Sequence, residues 1–417
     1  MSSLPPPPKA SEPRFDDWLY RFWKSAAAGG GAVDADTLNG QPGSYYRNAS
    51  NLNAGTVATA RLGSGTADST TFLRGDGTWA APSGGGGAAE NLIINGGFQV
   101  NQRAAATNAD DTYSHDRWYA LTQTGTIAIT SLADVENTTP VMARLTQSQA
   151  SAQRMGYAQI IEAKNCKHAR GQAVTLKFRT RLSSTDNIRI AVPEWTGTAD
   201  TVTSDVVNSW TSTTYTAGNF FLGSNLTISN VTQQALTANT LANSTTVTVT
   251  LGSSFNNLIV FIWTENAVAQ NVTLDIGKVK LEVGSAATTF EWFDYSEVLR
   301  RCRRYYRQWN FAAGGFPVAT GYCTATTAWF VSGLCAENTS DMRDTPTIDM
   351  GAAGNYLVYD SAGSAVAVTS FNAPGNAGAS GVIYASGYVS SGLTAGAATT
   401  LGSSVSNAAT ISAAVEL

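Results

Sequence analysis

The strongest constraint on the fold is the spacing of apolar residues after Asn91. Val174 to Arg181, Asn187 to Val192, Ser244 to Leu251, Asn257 to Trp263 and Val272 to Val283 alternate or cluster β-branched and apolar residues between turn signals. Segments of that length and period make strands, and their number predicts an antiparallel sandwich. The pattern continues through Thr326 to Leu334, Tyr356 to Tyr359, Ala365 to Thr369 and Val382 to Val389, parted by glycine turns. This nearly charge-free stretch predicts a second β unit whose edges and apolar faces would aggregate unless other subunits covered them.

At 417 residues the chain is too long for one core, so several units joined by linkers are expected. Four are read here: residues 1–31, 32–89, 90–309 and 310–417. In the first, a proline-rich stub from Leu4 to Pro8 precedes Phe15, Trp18, Leu19, Phe22 and Trp23, which fall at i, i+3, i+4, i+7 and i+8 on one helical face. Ser11 is placed to cap this helix, Asp16 and Asp17 lie in its first turn, Arg21 and Lys24 in its last, and Gly29 to Gly31 end it. A helix so short is marginal alone, and five large apolar side chains on one face call for a covering protein surface. A docking peptide on a glycine tether is the expected role.

Residues 32–89 hold too few hydrophobes to close a core, with Leu38, Val57, Leu62, Phe72, Leu73 and Trp79 isolated among small polar residues. Intertwining with identical copies would supply the missing partners. Asp36-Thr37-Leu38-Asn39-Gly40-Gln41, Gly43-Ser44-Tyr45-Tyr46 and Phe72-Leu73-Arg74-Gly75-Asp76-Gly77-Thr78-Trp79 resemble the shaft modules of bacteriophage tail fibres and prophage tail proteins. In those modules Arg74-Gly75-Asp76 would be a turn before a buried tryptophan rather than an adhesion tripeptide. Ser83 to Ala88 reads as a flexible linker.

Asn91-Leu92-Ile93-Ile94-Asn95-Gly96-Gly97-Phe98, Asp116-Arg117-Trp118, Leu281-Glu282-Val283-Gly284 and Thr288-Thr289-Phe290-Glu291 resemble the jelly-roll modules of phage fibres, over roughly residues 91–309. Such modules are similar to carbohydrate-binding jelly rolls attached to glycoside hydrolases, and this implies sugar binding. Sugar-binding relatives carry an acidic calcium ligand in the last strand, where Gly277 and Lys278 stand here, so no calcium site is expected. Glu297 to Trp309 reads as a second short helix with Leu299, Cys302, Tyr306 and Trp309 on one stripe, and Cys302-Arg303-Arg304-Tyr305-Tyr306 resembles the segment that follows phage-fibre jelly rolls. Met342-Arg343-Asp344-Thr345-Pro346-Thr347 and Val415-Glu416-Leu417 resemble distal fibre domains.

The fold expected is therefore mainly β: an N-terminal amphipathic helix, an extended intertwined shaft, an antiparallel jelly-roll sandwich and a C-terminal β tip. A net charge of −4 argues against nucleic acid as a partner, and no apolar run is long enough to insert in a membrane. Nothing before Lys9 reads as an export signal. Cys166, Cys302, Cys323 and Cys335 lack metal-site spacing and read as buried free thiols, with a Cys323–Cys335 disulfide the alternative. No metal and no cofactor is implied.

Catalysis finds little support in the residues. His115 and His168 have no nucleophile motif to serve, and Asp110, Asp111, Glu162, Glu194, Glu265 and Glu291 cannot be paired by spacing alone. What remains is stacking of sugar rings on aromatic faces. Trp195, Trp210 and Tyr215 in the sandwich and Tyr322, Trp329, Tyr384 and Tyr388 in the tip are the candidates, and either Trp329 or Phe330 must face outward if that segment is a strand. Together with the resemblance, these residues imply a non-enzymatic phage tail-fibre subunit, made in the host cytoplasm and carried on the virion tail. It would be a homotrimer that joins a tail, baseplate or adaptor protein through its N-terminus and binds host surface polysaccharide. A capsule-degrading tailspike glycosidase and a purely structural fibre or head decoration are the alternatives.

Overall fold

A computed structural model of the chain describes residues 15–28, 37–38, 41–42, 44–45, 48, 57–69, 71–80, 90–104, 106–133, 141–332, 339–363, 365–376 and 382–417. These belong to two compact units, Met1–Gly85 and Gly86–Leu417. The proline stub, Ser11, Gly29 to Gly31, Asp36, Asn39, Gly40, the linker Ser83 to Ala88 and Cys335 lie outside the described residues.

The first unit opens with the helix Phe15–Ala28. It runs past Lys24 through three alanines, which are the best helix formers, so Arg21 and Lys24 sit in its middle and not in the last turn as expected. Farther along, Phe72–Leu73 pairs with Trp79–Ala80, and the intervening Arg-Gly-Asp stretch makes the turn. Asp76 accepts from the Thr78 amide (3.0 Å) and hydroxyl (2.6 Å), which lowers its carboxyl below the usual range, and Gly77 takes the φ of +78° that a side chain would resist. Trp79 is half-buried and donates its indole N–H to the Thr59 carbonyl at 3.1 Å.

The second unit starts as the expected antiparallel sandwich. In one sheet Ala173–Leu182 and Thr273–Val283 are central; Ala242–Asn243 and Val247–Thr250 flank the first, and Val141–Gln147, Ile127–Ala133 and Thr107–Asn108 follow the second. In the other sheet Asn257–Thr264 is central. Met155–Ile161 and then Tyr119–Thr122 lie on one side of it; Asp186–Ala191 and Glu194–Trp195, then Val231–Leu236 and Leu226–Thr227, lie on the other. The strict alternation of Asn257–Thr264 divides its side chains. Leu258, Val260 and Ile262 enter the core between the sheets, whereas Ile259, Phe261 and Trp263 enter a second core on the outer face, under the loop that carries Val202, Val206, Phe220 and Phe221. No helix among the described residues is long and apolar enough to cross a membrane.

After the sandwich comes the helix Tyr295–Arg303, capped by Asp294, whose carboxylate accepts from the Ser296 amide at 2.8 Å. The sequence reading carried this helix on to Trp309, and the structure corrects it. Tyr306–Phe311 is a strand paired with Ala409–Ala414, a partner about a hundred residues away that local periodicity cannot sense. The tip is a closed six-stranded barrel in the order Pro317–Ala325, Ala328–Ser332, Ile383–Val389, Ala365–Asn376, Tyr356–Asp360 and Ala398–Ser403. Closure removes the edges that the sequence pattern would otherwise leave open. Cys166, Cys302 and Cys323 are buried free thiols.

Sandwich and barrel are joined through the end of the chain. Glu416 reaches Arg117 and, at 3.0 Å, Arg103, and the Tyr113 hydroxyl donates to the Leu417 carbonyl at 2.6 Å. The Arg117 guanidinium lies 3.7 Å from the Tyr305 ring centroid, and that of Arg103 3.5 Å from the Tyr306 ring centroid. Burial works against charge on Arg117, but Glu416 together with Tyr305 and Tyr113 outweighs it, so its proton is held more tightly than usual.

Candidate functional site

The barrel gathers aromatic side chains on its outer surface. On Ile383–Val389 the alternation sends Ile383, Ala385 and Val389 inward and Tyr384, Ser386 and Tyr388 outward. On Ala328–Ser332 it sends Trp329 and Val331 inward and Phe330 outward. Tyr322 stands directly opposite Phe330, with ring centroids 5.7 Å apart, and Phe330 stacks on Tyr384 at 6.2 Å with 27° between the planes. Four residues along from Tyr384, on the same face, is Tyr388. Tyr322 and Tyr388 keep 51% and 47% of their surface exposed, enough to receive a flat ligand. The three strands that carry these rings contain no charged residue. Such a face can stack against the C–H side of a sugar ring while hydroxyls of Ser386 and of the tyrosines bond its oxygens.

Trp329, proposed from sequence for this role, is corrected by the structure: only 1% of its surface is exposed. It faces Cys323 and Gly387 across the two neighbouring strands, and a Cβ at residue 387 would lie 2.8 Å from its ring, so the glycine makes the room that draws the indole inside. Phe330 takes the outward place, as strand parity required of one of the two. The sandwich candidates are half-buried and separate from the barrel's row. Trp210 packs edge-on to Phe220 and Phe261 (5.6 and 6.1 Å), and Tyr215 packs on Phe220 and Trp263 beneath Arg189. Trp195 leans on Gly197 and donates to the Thr198 carbonyl at 2.9 Å. In the first unit, Trp18 and Phe22 stack at 5.4 Å, and Leu19, Phe22 and Trp23 are exposed. The Phe15 side chain lies outside the described ones.

The motif residues of the sandwich are occupied in holding it together. Asn91 donates to the Val279 carbonyl (2.9 Å) and accepts from Leu281 and Ile93. Asn95, in the left-handed region at φ +58°, binds the carbonyls of Val100 and Asp116, and its own carbonyl receives the Trp118 indole. Glu282 accepts from the Thr288 amide at 2.6 Å. His115 is buried between the Tyr157 and Ser131 hydroxyls, and burial pushes it down to about 4, so it is neutral at ordinary pH. His168 is exposed.

Three of the candidate acids are likewise engaged: Glu162 by Arg304 and Tyr305, Glu194 by Ser229 and the Gly252 amide, Glu265 by Arg189 and Gln233. Asp275 is gripped by Arg144 and Arg181. Asp111 differs. Burial, together with the charges of Asp110 and Asp205, holds its carboxyl up at about 7.

No protein-family model matches the chain, and no curated protein does. Among solved structures, the enzymatically active domain of tailspike protein 4 of bacteriophage CBA120 superposes on 46% of the chain at 12% identity with a TM-score of 0.30, and the match spans 21% of that domain. A CBM4 domain matches 46% of the chain and 99% of its own length at 16% identity and a TM-score of 0.29. The xylan-binding CBM22-1 domain from Paenibacillus barcinonensis matches 48% of the chain and 98% of its own length at 10% identity and a TM-score of 0.27. Each is a partial likeness.

Proposed function

We propose that the chain is a tail-fibre subunit of a bacterial virus, a non-enzymatic virion protein that attaches to the host by binding surface glycan through the barrel's outer face. The observation that carries this reading is the row of Tyr322, Phe330, Tyr384 and Tyr388 on one charge-free surface. The shaft and jelly-roll motifs set out above support the assignment to a fibre. The exposed Leu19, Phe22 and Trp23 support docking of the helix on a tail, baseplate or adaptor protein, and the uncovered Leu62, Phe72 and Leu73 support assembly into a homotrimer whose copies cover them.

The test is saturable binding of the labelled full-length protein to host cells, with reducing-end release assayed in the same tube. Truncating two exposed rings removes on the order of 2 to 3 kcal/mol of stacking and burial, so Tyr322→Ala with Tyr388→Ala should weaken binding by roughly tenfold or more. Unchanged binding would refute the barrel face. The raised carboxyl of Asp111, beside Asp110 and Asp205, favours one second reading, a capsule-degrading glycosidase with Asp111 as proton donor. Sugar release abolished by Asp111→Asn would establish that alternative in place of the binder.

A further inference from the structure

Between the last strand of the sandwich and the helix that follows it lies an aromatic surface that the glycan reading does not use. Residues 291–296 are all exposed. Three of them are aromatic: Trp292, Phe293 and Tyr295 keep 37%, 38% and 54% of their surface open. Single exposed rings are ordinary on a protein, but a cluster of them marks a surface that something covers. Phe290 meets Trp292 edge-on at 4.9 Å, and the two line one small cleft with Phe293, Ile94, Val298 and Arg301.

These rings are held in place before anything binds. A Cβ at Gly97 would lie 2.5 Å from the Trp292 ring, so the glycine gives that indole its seat. The Arg301 guanidinium lies 4.8 Å from the Phe293 ring centroid, and Tyr295 opens the helix capped by Asp294. Fixed rings lose little entropy on contact, and aromatic residues with arginine are the side chains enriched at the buried centre of protein interfaces. The place of the patch points to the partner. Arg301 also reaches, at 4.0 Å, Glu90, the first described residue of the second unit.

We propose that residues 291–296 pack against a second copy of this chain, sister segments meeting around the axis on which the first units assemble. This contact rests on the homotrimer reading and adds to it the surface through which the second units touch. Leu62, Phe72 and Leu73 of the first unit call for cover by other copies. From Ala80 to Glu90 the chain advances ten residues, at most about 35 Å when extended. Copies joined by their first units therefore hold their second units at an effective concentration on the order of millimolar. A foreign protein would have to compete at that concentration, so a sister chain is the occupant that the tether favours. Beside a symmetry axis each residue meets its own equivalent, and one patch then serves every copy.

The test puts the photo-crosslinker p-benzoylphenylalanine in place of Tyr295 in the full-length chain, and in place of Tyr322 on the barrel as the control. Sedimentation at micromolar concentration establishes the assembly first. In an oligomer, irradiation of the Tyr295 substitution should give a denaturation-resistant species of twice the chain's mass, several times more abundant than from the Tyr322 substitution. Phe293→Ser, which removes a neighbouring ring, should cut that yield severalfold. A wild-type chain that sediments as a monomer overturns the homotrimer reading and this contact with it. An oligomer overturns the contact alone if the Tyr295 position gives no double-mass adduct, gives one only within its own chain to residues 1–80, or gives no more than the Tyr322 position. Unchanged yield in Phe293→Ser has the same consequence.

Discussion

The junction at Glu416 makes a quantitative claim that can be checked directly. The Arg117 side chain is 1% exposed and Glu416 10% exposed, so the pair sits where an uncompensated charge is costly. Replacing Glu416 by glutamine leaves the guanidinium buried, with the Ile160 carbonyl (2.7 Å) and the Tyr305 ring beside it and a neutral amide oxygen in place of the carboxylate. Breaking a buried pair from one side typically costs about 3 to 5 kcal/mol. The two surviving contacts place Glu416→Gln toward the lower end, about 3 kcal/mol. Arg117→Met should cost a similar amount, because Glu416 then keeps only Arg103.

The double variant decides whether the loss comes from the pair. With both charges gone, neither partner is stranded, so the double variant should lose clearly less than the two single variants added together, by about 1 kcal/mol or more. Urea unfolding of the full-length chain, with single, double and wild-type proteins compared at equal slope, measures this. Strict additivity, or single losses below about 0.5 kcal/mol, would refute the reasoning, since that is the range of ordinary surface substitutions.

Three further outcomes are expected. Because burial depresses His115 from 6.5 to about 4, the unfolded chain binds the extra proton first, so the stability its burial contributes is intact above pH 6.5 and falls away toward pH 4. That slope amounts to about 3 kcal/mol and should be absent in His115→Asn; Asp111, which titrates in the opposite sense, is common to both proteins, and equal pH profiles would sink the argument. Gly387→Ala would drive a methyl group into the Ser370 carbonyl and the Trp329 ring, an overpacking that should cost about 1 to 3 kcal/mol and lower the melting temperature; an unchanged melt would mean that the barrel wall yields there. Deleting residues 1–28 should leave a soluble oligomer that no longer joins virus particles, and retained incorporation would contradict docking by the helix.

The strands of the sandwich were legible because their period and turn signals are local, and Ala173–Leu182, Asp186–Ala191, Asn257–Thr264 and Thr273–Val283 appear within a residue or two of their expected bounds. What local pattern could not supply was pairing across distance. The stretch from Tyr306 to Trp309 reads as helix until Ala409–Ala414 is set beside it, and the closure of the barrel depends on Ala398–Ser403 meeting Pro317–Ala325. The choice between Trp329 and Phe330 for the outward place was open for the same reason: parity demands that one face out, but which one depends on Gly387, more than fifty residues away.

The motif residues and the candidate binding residues occupy different places, and this bears on where function should be sought. Asn91, Asn95, Trp118 and Glu282 have their polar atoms committed to backbone groups of the sandwich, so a ligand could reach them only by displacing bonds that hold strands in register. Their resemblance to phage-fibre modules therefore speaks for the scaffold. The barrel row lies on outward strand positions, where a side chain can change without disturbing the core behind it. A scaffold fixed by buried polar networks and faced with substitutable outward positions permits a change of ligand at little cost in stability. Exchanges confined to Tyr322 and Tyr388 should accordingly alter which glycans bind while leaving the unfolding free energy within about 0.5 kcal/mol of the parent for each exchange. A larger loss at Tyr322 or Tyr388 would show that these rings serve the barrel's own packing and not a ligand.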